Sequence, residues 1–326
     1  MPAGAAAVDP ANRWLAKARN RVRLHEPAWP TALLTAPTMR DFSADHRWLS
    51  INTATVRAQW RLDRIIEECA RRGIRAISPW RDQVAVIGLD VAARLIRETG
   101  LELSGYCRGG MFPGTTDAAR RLALDDNRRA VDEARRLDAR CLVLVVGGLP
   151  GALQGMPESK DLYAARSDVR DGIAATLAYA RSVQMPLAIE PLHPMYAADR
   201  ACVNTLEQAL DLCELLDPEA SGALGVAVDA YHVWWDPKLA AQIARAGAAR
   251  LLAFHVCDWM VPTRDLLNDR GMMGDGVIDL PQIRGWIEAA GFEGYSEVEI
   301  FSAEIWWKRD GGEVLDTCIE RHRCAV

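Results

Sequence analysis

Eight times after Trp48, a short apolar run gives way to a longer stretch with helical apolar spacing. The runs are Leu49–Val56, Ile74–Ser78, Leu101–Tyr106, Cys141–Val146, Leu187–Ile189, Leu224–Asp229, Leu251–Val256 and Ser296–Phe301. Helices are predicted between them over Leu62–Arg72, Asp90–Glu98, Thr116–Asp138, Asp161–Val183, Thr205–Leu216, Pro237–Ala246 and Asp279–Ala290, and after them over Gly312–Arg323. The run Cys141–Val146, CLVLVV, is continuous, as in a strand buried on both faces. Strands alternating with helices build parallel βαβ units. Eight such units in one pass predict a single (β/α)8 TIM barrel, an architecture of about 250 residues. A doubly wound open sheet would want a glycine-rich turn after its first strand, where this chain has Val56-Arg57-Ala58-Gln59.

Residues 1–47 lack that period and are rich in proline. They read as an N-terminal extension, an arm with a short basic helix over Asn12–Arg23 and with Trp14 and Trp29 as anchors. The barrel is then expected over 48–326. With 326 residues, half of them hydrophobic, a large core is within reach. The net charge of −5 and the absence of a Lys/Arg-rich tract argue against nucleic acid as a partner. Eight scattered cysteines without a CxxC pair suggest a reducing compartment. No basic-then-apolar leader and no 18-residue apolar run are found, so a cytoplasmic protein without a membrane partner is expected.

The last four runs end in groups that carry chemistry: LAIEPLHP at Glu190, GVAVDAYH at Asp229, LLAFHVCD at His255 and YSEVEIFS at Glu299. In a (β/α)8 barrel the C-terminal strand ends gather at one mouth. Three of the six histidines, His193, His232 and His255, fall at or just after strands five to seven. One imidazole among carboxylate oxygens suits a hard divalent cation, Mn2+ first, with Mg2+, Co2+ or Zn2+ as alternatives. Glu297 and Glu299 share a strand face, and two buried carboxylates need a counter-charge: one can ligate a metal, and the other, read as Glu297, should pair with an arginine or lie nearer the barrel floor. Cys257 should point away from the site into barrel–helix packing. Trp80, Arg81, Tyr106 and Arg108 follow strands two and three. They can line a pocket, as an aromatic wall and anion-binding arginines, or serve in packing and surface ion pairs.

The segments IEPLH, VDAYH, FHVCD and EVEIFS resemble the xylose-isomerase-like barrel superfamily, the sugar phosphate isomerase/epimerase family, over about residues 48–326. The resemblance implies metal ligands at Glu190, Asp229, His255 and Glu299, with FEGYSEVEIFS selecting Glu299 over Glu297. It implies a substrate-contacting histidine at His232 and a substrate contact at Arg270, in NDRGMMGDGVID. The implied activity is metal-dependent isomerisation or epimerisation of a small sugar or hydroxy-ketone. Glu190 and Glu299 would move the proton through an enediolate that the metal stabilises, and His232 would meet the developing oxyanion. The chain departs from the ketose-epimerase pattern at Leu192-His193-Pro194, which makes His193 a candidate base or polar contact. A dehydratase or lyase acting on keto-sugars or keto-glycosides is the alternative. An endonuclease IV-like phosphodiesterase is more remote, since that branch has histidines where this chain has Trp80-Arg81 and Tyr106-Arg108. A homo-oligomer is compatible with the resemblance.

Overall fold

Short runs of Leu, Ile, Val and Ala with no polar face can be satisfied only between two apolar layers, and the chain arranges them so. A computed structural model describes residues 39–326; the Asn12–Arg23 helix, Trp14 and Trp29 expected in the arm lie outside the described residues. The strands are β1 (Leu49–Asn52), β2 (Ala76–Ser78), β3 (Glu102–Leu103), β4 (Tyr106–Gly110), β5 (Leu142–Val145), β6 (Leu187–Ile189), β7 (Leu224–Asp229), β8 (Leu251–Val256), β9 (Asp258–Trp259), β10 (Arg270–Gly271) and β11 (Ser296–Val298). Nine of them form one parallel sheet in the order β3-β2-β1-β11-β8-β7-β6-β5-β4. Its two end strands are halves of one broken strand. Bridges from Trp80 to Cys107 and from Leu103 to Ala139 close the ring, giving eight barrel positions. The helices, including Asp117–Arg136, Leu162–Ser182 and Gly311–Ala325, follow the strands as expected. None among the described residues is long and apolar enough to cross a membrane.

The departures from the expected elements have local causes. The first strand stops at Asn52 rather than Val56, because the Asn52 side chain accepts from the Ala54 amide at 3.1 Å and turns the chain into a 3-10 helix over Thr53–Val56. The third strand is broken at Ser104-Gly105 and continues through Gly110, past the expected end at Tyr106. Gly110 has φ +107°, and a Cβ there would meet the Val145 carbonyl oxygen at 1.9 Å, so only glycine fits this pairing. An unforeseen helix, Arg81–Ile87, precedes Leu89–Thr99. The helix expected over Pro237–Ala246 runs over Leu239–Arg250 instead, since the Asp236 carboxylate accepts from the Lys238 amide and holds the first residues in a turn.

Side chains alternate across each strand. The outward set, such as Leu187, Ile189, Val226, Val228, Phe254 and Val298, packs under the helices in the main core. The inward set is small near the floor, with Cys141, Val143, Ala188, Ala227 and Ala253. Near the mouth it turns polar, with Asn52, Glu190, Asp229, His255, Glu297 and Glu299, all buried.

Residues 40–46 pack against the last two helices. Arg40 Nε pairs with Glu288 at 2.9 Å, and Phe42 stacks on the fully buried His322 ring at 4.3 Å. Burial pushes the His322 imidazole down to about 3, with Arg284, His46 and Arg40 adding repulsion against its cation. A histidine held neutral in the fold lets the unfolded chain take up the extra proton once the pH falls below 6.5. Stability from this group is therefore complete above that pH and declines as the pH drops toward 3, by at most about 1.4 kcal/mol per pH unit. His322→Phe should flatten this slope in urea unfolding curves recorded between about pH 4 and 6.5, the range in which the unfolded imidazole takes up its proton; an unaltered slope would refute the assignment.

Candidate metal centre and pocket

The inward-facing alternation delivers one functional group per strand to the same mouth. Glu190 follows β6, its amide donating to the Leu144 carbonyl at 3.1 Å, before Pro191 ends the pairing. Asp229 closes β7 and lies opposite His255 of β8 in register, and His255 in turn lies opposite Glu297 of β11. Glu299 is the next inward residue after Glu297. The ligand-capable atoms of Glu190, Asp229, His255 and Glu299 all lie within 4.8 Å of one another, and none of these residues is more than 5% exposed.

Arg270 reaches the cluster because β9 and β10 form a small antiparallel pair inside the long loop 258–276, with Arg270 opposite Trp259. Its Nη1 donates to Asp229 Oδ2 at 3.0 Å and to Glu299 Oε2 at 3.1 Å, and lies 3.9 Å from Cys257 Sγ. Cys257 therefore touches the site's arginine as well as the core. Asn52 Nδ2 donates to both Glu297 Oε1 (2.8 Å) and Glu299 Oε1 (2.9 Å), while its Oδ1 accepts from Trp80 Nε1 (2.8 Å). Ser104 Oγ donates to Glu297 Oε2 at 2.7 Å. Glu297 is thus satisfied by an amide and a hydroxyl, with His255 Nε2 at 3.4 Å, rather than by an arginine.

Four buried carboxylates, Glu190, Asp229, Glu297 and Glu299, face one guanidinium and one imidazole that can be charged. Burial works against the charged form of Asp229, but Arg270, His232, His255 and the Tyr231 amide together outweigh it and hold the carboxyl below its ordinary range. Burial likewise opposes the His255 cation, and Glu297, Glu190 and Glu299 outweigh it, keeping that imidazole well above its usual value. Glu299 goes the other way. Burial pushes it up to about 8; Arg270 offsets only part of that, and Glu190 adds repulsion. The cluster is short of positive charge, and a proton on Glu299 or a divalent cation would supply it. The donor set fits a cation. His255 Nδ1 and Glu190 Oε1 are 2.9 Å apart yet off the line of any N–H, and both are buried without a hydrogen-bond partner.

A half-open cavity lies beside the cluster, with Glu190, Glu299, His232, Arg270, Trp80, Arg108 and Phe301 in its lining. Phe301 meets Trp80 edge-on at 5.5 Å. His232, in the short helix Ala230–Val233, is buried with Nε2 3.2 Å from Arg270 Nη2, and its Nδ1 accepts from the His193 amide at 3.2 Å. Burial holds its imidazole neutral, down to about 3. Other candidates lie elsewhere. The His193 imidazole packs on Trp259 (4.8 Å) and Trp235 (5.9 Å) and is not part of the cavity lining. Arg81 is neutralised by Asp126 and Glu133, and the Tyr106 hydroxyl donates to Glu133 at 3.0 Å. Sequence reasoning missed Asn52, Ser104, Tyr196 and Arg200. Asn52 and Ser104 carried a signal, as polar residues inside predicted strands; Tyr196 and Arg200 carried none.

A family model described as xylose isomerase-like TIM barrel matches residues 65–318. The chain is 61% identical to protein SMc04130 from Sinorhizobium meliloti 1021, whose crystal structure superposes with a TM-score of 0.81 over 85% of this chain and 98% of that one. The IOLI protein, solved with a binding zinc atom, is 18% identical with a TM-score of 0.71 over 84% of this chain and 95% of its own. D-Psicose 3-epimerase with D-tagatose, from Clostridium cellulolyticum H10, is 14% identical with a TM-score of 0.63 over 83% of this chain and 97% of its own. A search of curated proteins finds no match.

Asn52→Leu should lower the unfolding free energy by about 1–3 kcal/mol, because two buried carboxylates lose a donor and nothing replaces it. Urea denaturation measures the loss; a variant as stable as the parent would mean that Glu297 and Glu299 do not depend on this amide.

Proposed function

The chain belongs to the xylose isomerase-like TIM barrel family, and on that premise we propose that it is a divalent-metal-dependent isomerase or epimerase of a small sugar or hydroxy-ketone. The observation that supports this reading is the convergence of Glu190, Asp229, His255 and Glu299 within 4.8 Å, beside a cavity with an aromatic wall. These four residues would hold the cation, and three carboxylates with one imidazole suit Mn2+, with Mg2+, Co2+ or Zn2+ as alternatives. When bound, it supplies a Lewis acid for a carbonyl and the hydroxyl beside it.

The chain's own groups do the rest. Glu190 and Glu299 both line the cavity, from strands three positions apart in the ring. One carboxylate takes the proton from the carbon beside the carbonyl, and the other, or the same one, returns it. His232 and Arg270 address the substrate oxygen. Because Nδ1 of the neutral His232 ring accepts the His193 amide, its proton sits on Nε2, and Arg270 Nη2 is also a donor. The two donors lie 3.2 Å apart, with Asp229 Oδ2 3.5 Å from Nε2, and an oxygen gaining charge in the cavity can accept from both. Trp80 and Phe301 give the sugar ring an apolar wall.

Elimination would begin with the same proton transfer but needs an acid near a leaving group. His193, the candidate for that task, keeps its imidazole on the tryptophan shelf. A phosphodiesterase of the endonuclease IV kind needs several metals. Among the described residues the four-ligand cluster is the one grouping of this type, and Arg81, in place of a histidine, is paired away from the cavity.

The test is metal analysis of the purified chain together with proton NMR of a ketose in D2O. Deuterium should enter the carbon beside the carbonyl, an isomer should accumulate, and EDTA should stop both. Glu190→Gln and Glu299→Gln should each slow exchange by about 10²–10⁴-fold. A chain that binds no Mn2+, and exchange unaffected by either substitution, would rule the reading out.

A further inference from the structure

Two cations in the cavity lining are not used by the proposed reaction. Arg108 follows Cys107 in β4, and Arg200 comes from the irregular segment after β6; both line the same cavity as Glu190 and Arg270. Arg81, the other arginine predicted near this mouth, shows what a structural arginine looks like here: it meets Asp126 and Glu133 at 2.8 and 2.7 Å. Arg108 forms no ion pair or side-chain hydrogen bond among the described residues, although burial, and after it the neighbouring Arg200, pull its guanidinium below the ordinary range. Arg200 has only its chain neighbour Asp199, at 3.8 Å, and its Nε is buried without a partner.

A third group completes the set. Tyr196 also lines the cavity and is 5% exposed, and its hydroxyl is buried without a hydrogen-bond partner. The Arg200 guanidinium lies 5.8 Å from the Tyr196 ring centre. Burial pushes this phenol up to about 12, so it stays a donor at neutral pH. Holding two guanidinium groups and a buried hydroxyl in one cavity without an acceptor is costly. All three present N–H or O–H donors, and arginine pairs with carboxylate or phosphate oxygens in charge-assisted bonds.

We infer that Arg108, Arg200 and Tyr196 form an anion subsite, and that the sugar substrate carries a carboxylate or phosphate group in addition to the carbonyl presented to the carboxylate cluster. This rests on the reading of the cavity as a sugar isomerase or epimerase site. It makes the substrate class a sugar acid or a sugar phosphate rather than a neutral ketose.

Calorimetric titration of the 326-residue chain can test it in two arms. In the first, inorganic phosphate and acetate are titrated into EDTA-treated protein, so the result does not depend on any metal. Binding should weaken about tenfold or more in Arg108→Gln and in Arg200→Gln, and less in Tyr196→Phe, while Arg108→Lys should retain part of it. Circular dichroism and the Mn2+ content of each reloaded variant separate loss of the subsite from loss of the fold. In the second arm, D-fructose, D-fructuronate and D-fructose 6-phosphate are compared. Tighter binding of the uronate identifies a carboxylate substrate, and tighter binding of the phosphate ester identifies a sugar phosphate. Neutral and anionic sugars bound equally, with phosphate and acetate binding indifferent to the arginine substitutions, would overturn the subsite. Protein that takes up no Mn2+ yet binds phosphate through Arg108 and Arg200 would overturn the metal reading and leave the subsite standing.

Discussion

Placing four carboxylates inside one barrel mouth creates a debt of several kcal/mol per charge, and the irregular parts of this fold are where it is met. Strand β1 breaks early, and the break is made by Asn52, whose amide nitrogen serves Glu297 and Glu299. The third barrel strand breaks after Ser104, whose hydroxyl serves Glu297. The long loop after β8 folds into the β9–β10 pair, which carries Arg270 to Asp229 and Glu299. A regular barrel would supply none of these three partners. The deviations from eight clean strands and the polar centre are thus one structural problem solved in three places.

The same accounting distinguishes two glutamates that sequence alternation treats alike. Glu297 receives Asn52 on one oxygen and Ser104 on the other, with the His255 ring beside it. It is saturated, and it braces the imidazole. Glu299 shares the Asn52 amide, but its second oxygen faces Arg270 and the cavity, and its charge is the one that burial and Glu190 resist. A carboxyl that can exist in either protonation state near neutral pH is suited to proton transfer. Glu297, with both oxygens committed, is suited to holding its neighbours.

How much of this was legible in the sequence depends on the range of the interaction involved. Strands β7 and β8 match their expected spans residue for residue, because period and burial are local properties of an apolar run. Glu190, Asp229, His255 and Glu299 were visible because each sits at the inward C-terminal end of such a run. Asn52 and Ser104 were misread as strand interior, since their effect comes from side-chain bonds that periodicity does not register. Arg81 and Tyr106 have the right position along the chain but the wrong partners. Their hydrogen bonds go to Asp126 and Glu133 on the helix Asp117–Arg136, and nothing near them in sequence announces those contacts. Tyr196 and Arg200 lie in a segment without any period, so only the folded chain reveals that they share a cavity.

His193 shows how a residue can sit at the right place and contribute through its backbone. Its imidazole stacks among Trp235 and Trp259, while its amide donates to His232 Nδ1. That single bond selects the tautomer: with Nδ1 accepting, the neutral ring must carry its proton on Nε2, toward Arg270 and the cavity. An amide at that point requires the chain to leave β6 sharply, and Pro191 and Pro194 both interrupt further strand pairing. The aromatic stacking then anchors the turn, so the side chain that looks chemically active fixes the position of an atom that every non-proline residue possesses. The proton placement at His232 follows from the path of the backbone after Glu190, and the same path sets the direction of the first metal-ligand candidate in the chain.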